Sequence, residues 1–399
     1  MDGKIYTQKD FDKITDRTGT ESIKWDGRER VFGKADVIPL WVADMDFETP
    51  EFIRKRIAKR LEHPILGYTY RSSAFSGSFT SWVQRRHNWT IDPTWVTFMP
   101  GVVAAVSVAV LAYTKPEDEV IIQPPVYHPF YFCVEGNGRK LILNHLIHQD
   151  GRFTFDLELL KSQITPRTKM LILSSPHNPG GTVWTPEELR GLVEVCKEHD
   201  IMIVSDEIHS DLVFSPNVHT PILKVAEDYK QGIFLTMAPS KTFNLAAMSS
   251  SIVVIPDENQ RKLYEDLVHT LHIGLGNVFG FEALEAAYEE GDQWLDQLMV
   301  YLTANRQLVY DFLQKEIPQV EMMVPEATYM TWLDFSKFGM TQEELTKFTI
   351  EKAGLGLNSG TQFGKGGEGF MRLNFGCPRS ILEQGLIQLK NALQVNKLI

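Results

Sequence analysis

The residues best suited to chemistry stand at the ends of short apolar runs. Lys241 lies in Ala238-Pro239-Ser240-Lys241-Thr242-Phe243-Asn244, directly after Ile233-Phe234-Leu235-Thr236-Met237. A lysine held between Pro239 and Phe243 is partly desolvated, which lowers its pKa and leaves an amine able to attack a carbonyl. Asp206 opens Asp206-Glu207-Ile208-His209-Ser210-Asp211 after the run at 201–205. Asn178 follows the run at 169–174, fixed in a turn by the prolines and glycines of Ser175-Pro176-His177-Asn178-Pro179-Gly180-Gly181. Tyr127 follows 119–123 on the rigid segment Pro124-Pro125-Val126-Tyr127-His128-Pro129, and Gly101 joins 95–99 to an apolar helical pattern that begins at Val102 and Val103. The free backbone N–H groups of a helix opening there would cradle an anion.

Each feature taken singly has a plainer reading: Gly101 as a tight turn, Tyr127 as a packed aromatic, Asn178 as a turn former, Asp206 as a helix cap. Asp206, His209 and Asp211 could also be imagined as metal ligands, but no HExxH pattern or second histidine pair accompanies them, and no metal is expected. The conjunction decides, because the runs themselves predict where these residues meet. From about 95 to 255, short aliphatic runs (95–99, 119–123, 140–146, 169–174, 201–205, 233–237 and 251–255) alternate with helical patterns. Several are continuously apolar, such as Met170-Leu171-Ile172-Leu173, as expected of strands covered on both faces. The fold class is α/β, with a large domain built on a mostly parallel seven-stranded sheet flanked by helices and a smaller α+β domain after it. Ligands bind such a sheet outside the carboxyl ends of its strands, where all these residues fall.

An anion cup, a ring platform, an amide donor, a carboxylate and an amine together fit pyridoxal 5′-phosphate. The helix opening at Gly101, Val102 and Val103 and the Ser240 hydroxyl would take the phosphate, and Tyr127 would stack on the pyridine ring. Asn178 would bond the phenolic oxygen and Asp206 the protonated ring nitrogen. Lys241 would form the Schiff base and then serve as the base at the substrate α-carbon.

Ser-Pro-His-Asn-Pro-Gly-Gly (175–181), Ser-Asp-Glu-Ile-His (205–209) and Ser-Lys-Thr-Phe-Asn (240–244) stand in the order found in fold-type I pyridoxal-phosphate enzymes, the aspartate aminotransferase superfamily, which the chain resembles over most of its length. Trp41-Val42-Ala43-Asp44-Met45-Asp46-Phe47, Gly67-Tyr68-Thr69-Tyr70-Arg71 and Met371-Arg372-Leu373-Asn374-Phe375 are similar to the cystathionine β-lyase branch of C–S lyases. The resemblance implies a pyridoxal-phosphate-dependent transferase fold and a homodimer whose active site lies at the subunit interface, with Tyr68 of the partner subunit on the phosphate. It implies that Arg372 grips the substrate α-carboxylate, a bidentate task suited to guanidinium, with Asn178 and Ala43 beside it and His209 near the cofactor. His209 stands where many aminotransferases have tyrosine, and Ser249 where they have arginine; the lyase branch accepts both. The expected activity is α,β-elimination of L-cystathionine or a related cysteine S-conjugate to a thiol, pyruvate and ammonia. The alternatives are a class I/II aminotransferase and, from another class, a pyridoxal-phosphate-binding regulatory protein.

Composition bounds the rest. The 399 residues are 43% hydrophobic and 23% charged, enough for a large core and more than one domain, expected as an N-terminal segment 1–45 packing with the small domain, a cofactor domain 46–285 and a C-terminal domain 286–399. A net charge of −11 without a long basic run argues against nucleic acid. Three cysteines without metal spacing and no apolar leader predict a reducing, cytoplasmic setting. The apolar stretch at 102–113 falls short of the roughly 20 residues that span a bilayer, so no membrane is expected. The glycine-rich patch Gly364-Lys365-Gly366-Gly367-Glu368-Gly369 lacks Walker spacing and reads as a mobile surface loop.

Overall fold

The computed structural model describes residues 4–399. Its main sheet is built from β1 (Val96–Met99), β2 (Glu119–Ile122), β3 (Lys140–Leu143), β4 (Thr168–Ser174), β5 (Met202–Asp206), β6 (Ile233–Met237) and β7 (Ser251–Val254). The strand order is β1-β7-β6-β5-β4-β2-β3, and every neighbouring pair is parallel except the two made by β7. Six strands therefore point the same way and deliver their carboxyl ends to one rim.

The continuous apolar runs follow from two cores, one on each face of the sheet. Strand side chains alternate across it: Ile121, Leu171, Leu173, Ile203 and Leu235 join one core, whereas Val120, Ile122, Ile172, Val204 and Phe234 join the other. The second core is closed by the helix Val102–Tyr113, whose Val102, Ala105, Val106, Ala109 and Val110 are buried. The first is continuous with the C-terminal part of the chain, so large sheet and small sheet share one hydrophobic mass. The helix Pro186–Glu198 begins as its sequence predicts: Thr185 and Glu188 form a reciprocal capping box around Pro186. The strand expected over 140–146 stops at Leu143. Pro124 and Pro125 replace the neighbouring strand there and offer no N–H, although Leu146 N still donates to Pro124 O at 2.8 Å.

The smaller antiparallel sheet comprises β8 (Glu321–Met323), β9 (Met330–Asp334), β10 (Asn358–Ser359) and β11 (Phe370–Asn374), ordered β8-β9-β11-β10. It packs with the helices Asp292–Glu316, Gln342–Glu351 and Arg379–Val395. The N-terminal segment joins this part of the molecule: Ile38 and Pro39 pair in parallel with Leu355 and Gly356. The glycine-rich patch is not a free loop. Gly367 is buried, its N–H donates to Gly364 O, Gly369 N–H donates to the Gln342 side chain at 2.8 Å, and Phe335 N–H donates to Gly369 O at 2.8 Å. Gly360 and Gly367 pass so close that a side chain on either would strike the other's backbone, so these glycines serve packing. Among the described residues no helix is long and apolar enough to cross a membrane.

Candidate active site

A cavity of about 200 Å³ opens at the carboxyl rim of the large sheet. Ala43, Gly101, Val102, Val103, Tyr127, Asn178, Asp206, His209, Ser240 and Lys241 all line it.

One end is built to receive an anion. Gly101 leaves β1 with extended backbone and its carbonyl accepts from Ala105 N at 2.9 Å, so the N–H groups of Val102, Val103 and Ala104 precede the first helical bond. A Cβ on Gly101 would meet no protein atom within 4 Å. Packing does not demand glycine there; the space belongs to the cavity. Across it lie Ser240, Ser249 and Ser250, and the Ser250 hydroxyl is buried without a partner. Ser249 was marked in the sequence only as the place where many aminotransferases have arginine, and Ser250 was absent from the sequence-derived set; its only sequence signal was the run Ser249-Ser250-Ser251 closely following Lys241.

The other groups are arranged by charge. Asp206 ends β5, 5% exposed, and one of its oxygens accepts from Ile208 N at 3.1 Å. No cationic side chain pairs with it, and burial pushes its pKa up to about 7. Lys241 sits in the turn Pro239–Thr242 after β6, and its Nζ donates to Ala43 O at 2.7 Å. Burial, with the charge of Arg372 adding, outweighs the attraction of Asp44 and Asp206 and lowers the amine to about 8. His209 is buried, its Nδ1 has no partner, and burial holds it well below the usual imidazole range, so its ring is neutral. Tyr127 is pushed up to about 12, chiefly by burial, and presents an intact phenol.

Arg372 approaches from the small sheet. It lies on β11, 4% exposed, and is held only by neutral acceptors: Asn178 Oδ1 at 2.9 Å, Asn358 Oδ1 at 2.7 Å and Trp41 O at 2.9 Å. Its Nε is buried without a partner. A buried guanidinium without a carboxylate is expensive unless a ligand supplies one, and its bond to Asn178 connects it to the cavity wall.

Ala43 belongs to a strap threaded over the lysine. Its carbonyl accepts from both Lys241 Nζ and Tyr329 Oη, the latter at 2.8 Å. Asn374 Nδ2 donates to Val42 O and Asp44 O, while Asn244 bonds Met45 and Phe47. Arg17 pairs with Asp44 and the fully buried Lys24 with Asp46, each at 2.7 Å. Tyr329 stands in no motif, so nothing local in the sequence marked it. Two of the expected residues are outside the cavity lining: Arg372 joins it through Asn178, whereas Tyr68 lies apart, 100% exposed.

An open glycine beside unpaired N–H groups, an orphaned serine hydroxyl, a carboxylate without a cation and a desolvated amine fit one group in common, pyridoxal 5′-phosphate. The chain belongs to the aminotransferase class I and II family, which matches residues 35–388, and pyridoxal phosphate is its cofactor. It is 44% identical over 384 residues to cystathionine β-lyase PatB of Bacillus subtilis (strain 168), spanning 96% of this chain and 99% of that one. Cystalysin of Treponema denticola, solved with pyridoxal 5′-phosphate, superposes with a TM-score of 0.94 at 34% identity, covering 97% and 99% of the two chains. The pyridoxal-phosphate-bound C–S lyase of Staphylococcus hominis gives 0.90 at 35% identity, covering 96% and 97%.

Proposed function

We propose that this protein is a pyridoxal-phosphate-dependent C–S β-lyase acting on L-cystathionine or a related cysteine S-conjugate, with a thiol, pyruvate and ammonia as products. The observation that carries the reading is the pairing, across one cavity, of an amine shifted toward neutrality with a carboxylate free of protein cations, beside a buried arginine free of protein anions. Arg372 binds the substrate carboxylate and Asn178 relays its position to the cavity. Lys241 is the residue that would hold the cofactor aldehyde, and its desolvated amine would serve as the base at the substrate α-carbon. Asp206 would hold the ring nitrogen, Tyr127 the ring, and the helix start at Gly101, Val102 and Val103, with Ser240, the phosphate. When bound, the cofactor supplies the electron sink that lets the α-proton leave and the β-thiolate follow. His209 and Ser249, at positions where many aminotransferases carry tyrosine and arginine, favour elimination over amino transfer, as do relatives named for C–S cleavage.

The working unit is a homodimer. Its support is the segment around Tyr68, where Ile65, Leu66, Tyr68 and Tyr70 are 67%, 53%, 100% and 84% exposed, more apolar surface than a solvent-facing loop accounts for. The domain division at 45 and 285 belongs to the same reading, with the first segment riding on the C-terminal part through the pairing of Ile38 with Leu355.

Purified protein incubated with L-cystathionine should release pyruvate in step with free thiol. Steady amino transfer dependent on an added keto acid, without pyruvate, would replace this reading with the aminotransferase.

A further inference from the structure

Behind the cavity wall, one carboxylate ties three elements together. Asp211 is two residues beyond His209 in the turn that follows β5. One of its oxygens accepts from Thr242 Oγ1 at 2.8 Å; the other accepts from Trp82 Nε1 at 3.0 Å and lies 2.9 Å from His87 Nε2. Trp82 and His87 come from the helix Ser73–His87, and Thr242 is the immediate, fully buried neighbour of Lys241. The network continues from His87. The His87 ring meets His219 edge-on at 5.8 Å, and His219 Nε2 lies 2.7 Å from Glu207 Oε2. The other oxygen of Glu207 accepts from Ser205 Oγ at 3.0 Å and Ile222 N at 2.9 Å. Glu207 is the neighbour of Asp206. Each of the two charged groups that face the cavity is therefore followed in sequence by a residue facing away, and both of those residues are clamped to one buried network.

We propose that Asp211 and Thr242 are positioning residues that fix where the Lys241 amine stands relative to the Asp206 carboxylate. The proposal rests on the reading above, in which Lys241 bonds the cofactor aldehyde and Asp206 pairs with its ring nitrogen. These two groups must meet opposite parts of one rigid ring, and a displacement of about 1 Å between reacting groups costs up to about a hundredfold in rate. Lys241 has a long, flexible side chain, so its backbone origin needs an anchor, and the bond from Thr242 to Asp211 supplies one within a residue. Asp211 suits the task because the bonds from His87, Thr242 and Trp82 overcome its burial and hold its carboxyl below the usual range.

The test compares Thr242→Val, which keeps the shape and removes the donor, with Thr242→Ser, which keeps the donor. Leu313→Ala, in the buried stripe of the helix Asp292–Glu316, serves as a control for lost stability alone. The readouts on the holoenzyme are Tm, kcat and KM for L-cystathionine, and the pH midpoint of the visible band of the lysine-bound cofactor. Thr242→Val should lose about 10- to 100-fold in kcat with KM changed less than about threefold, and its band midpoint should move. Thr242→Ser should recover kcat to within about threefold, and Leu313→Ala should lower Tm alone. Asp211→Asn, read the same way, serves if Thr242→Val does not fold. Wild-type kcat and an unmoved midpoint in the first variant that folds, with only Tm lowered, would overturn the proposal. Failure of the lyase reading is separate: the wild type would then release no pyruvate, while its visible band and the response of that band to Thr242→Val would remain measurable.

Discussion

Asp206 and Lys241 are shifted in opposite directions by the same cause, burial in a cavity shaped for a third charged group. The sign of the consequence follows from proton counting in the cofactor-free protein. Asp206, near 7 when folded against roughly 3.9 unfolded, binds more protons in the native state over that interval, so its contribution to stability is lost as pH rises through it. Lys241, near 8 against roughly 10.4, binds fewer, so stability recovers as pH rises across the higher window. Asp206→Asn should erase the first loss: in urea at pH 8 the cofactor-free variant should exceed the wild type by on the order of 2–4 kcal/mol, and at pH 4 the two should agree. An equal gap at both pH values would refute the shift. Turnover should fall steeply in the same variant, because an amide cannot hold the ring nitrogen protonated. Arg372 is a similar liability in waiting. Arg372→Met should leave cofactor-free stability unchanged or raised, since it removes a buried cation with no anionic partner, while kcat/KM falls by about a hundredfold or more. Arg372→Lys should not restore it, because a point charge cannot make two parallel bonds. Urea curves beside initial rates decide both points.

At the scale of elements, the strap at 41–47 and the turn after β6 are held to each other by Asn244. That residue adopts a left-handed backbone (φ 57°), which asparagine tolerates, and its amide makes three bonds to Met45 and Phe47. Asn244→Gly keeps the backbone and removes the bonds, and should cost about 2–3 kcal/mol at about 1 kcal/mol per bond. Asn244→Ala should cost about 1 kcal/mol more for the left-handed backbone. Equal unfolding free energies for the two variants would show that the backbone conformation is unimportant. The strands of the large sheet were legible because each is a run covered on both faces, and the helix at Thr185 because its cap, proline and acids are adjacent in sequence. The end of β3 was not, because it depends on Pro124 and Pro125, which follow the end of the strand beside it. The order of the glycine patch was missed for the same reason: what fixes Gly367 is Gly360 and what fixes Gly369 is Gln342.

For the whole molecule, the position of Tyr68 is the informative exception. A tyrosine 100% exposed, within an apolar segment, has nothing to do in a single chain. In sedimentation the protein should run as a dimer at micromolar concentration. Leu66→Glu with Tyr70→Glu should shift it toward monomer and lower activity, because the phosphate would lose the hydroxyl proposed to reach it from the neighbouring subunit. A monomeric wild type with full activity would remove Tyr68 from the site.

The sequence by itself determined where the candidate residues stand, since strand, turn and candidate residue are consecutive in the chain at Gly101, Tyr127, Asn178, Asp206 and Lys241, and parallel strands must bring such ends to one rim. Only the tertiary structure decided how those stations are charged and held. The neutral acceptors around Arg372, the bond of Lys241 to the Ala43 carbonyl and the grip of Asp211 on Thr242 each join residues far apart in the chain, and the unpaired hydroxyl of Ser250 is likewise set by its surroundings. Desolvation and hydrogen bonding are properties of what surrounds a side chain, and for these residues the surroundings come from elsewhere in the fold.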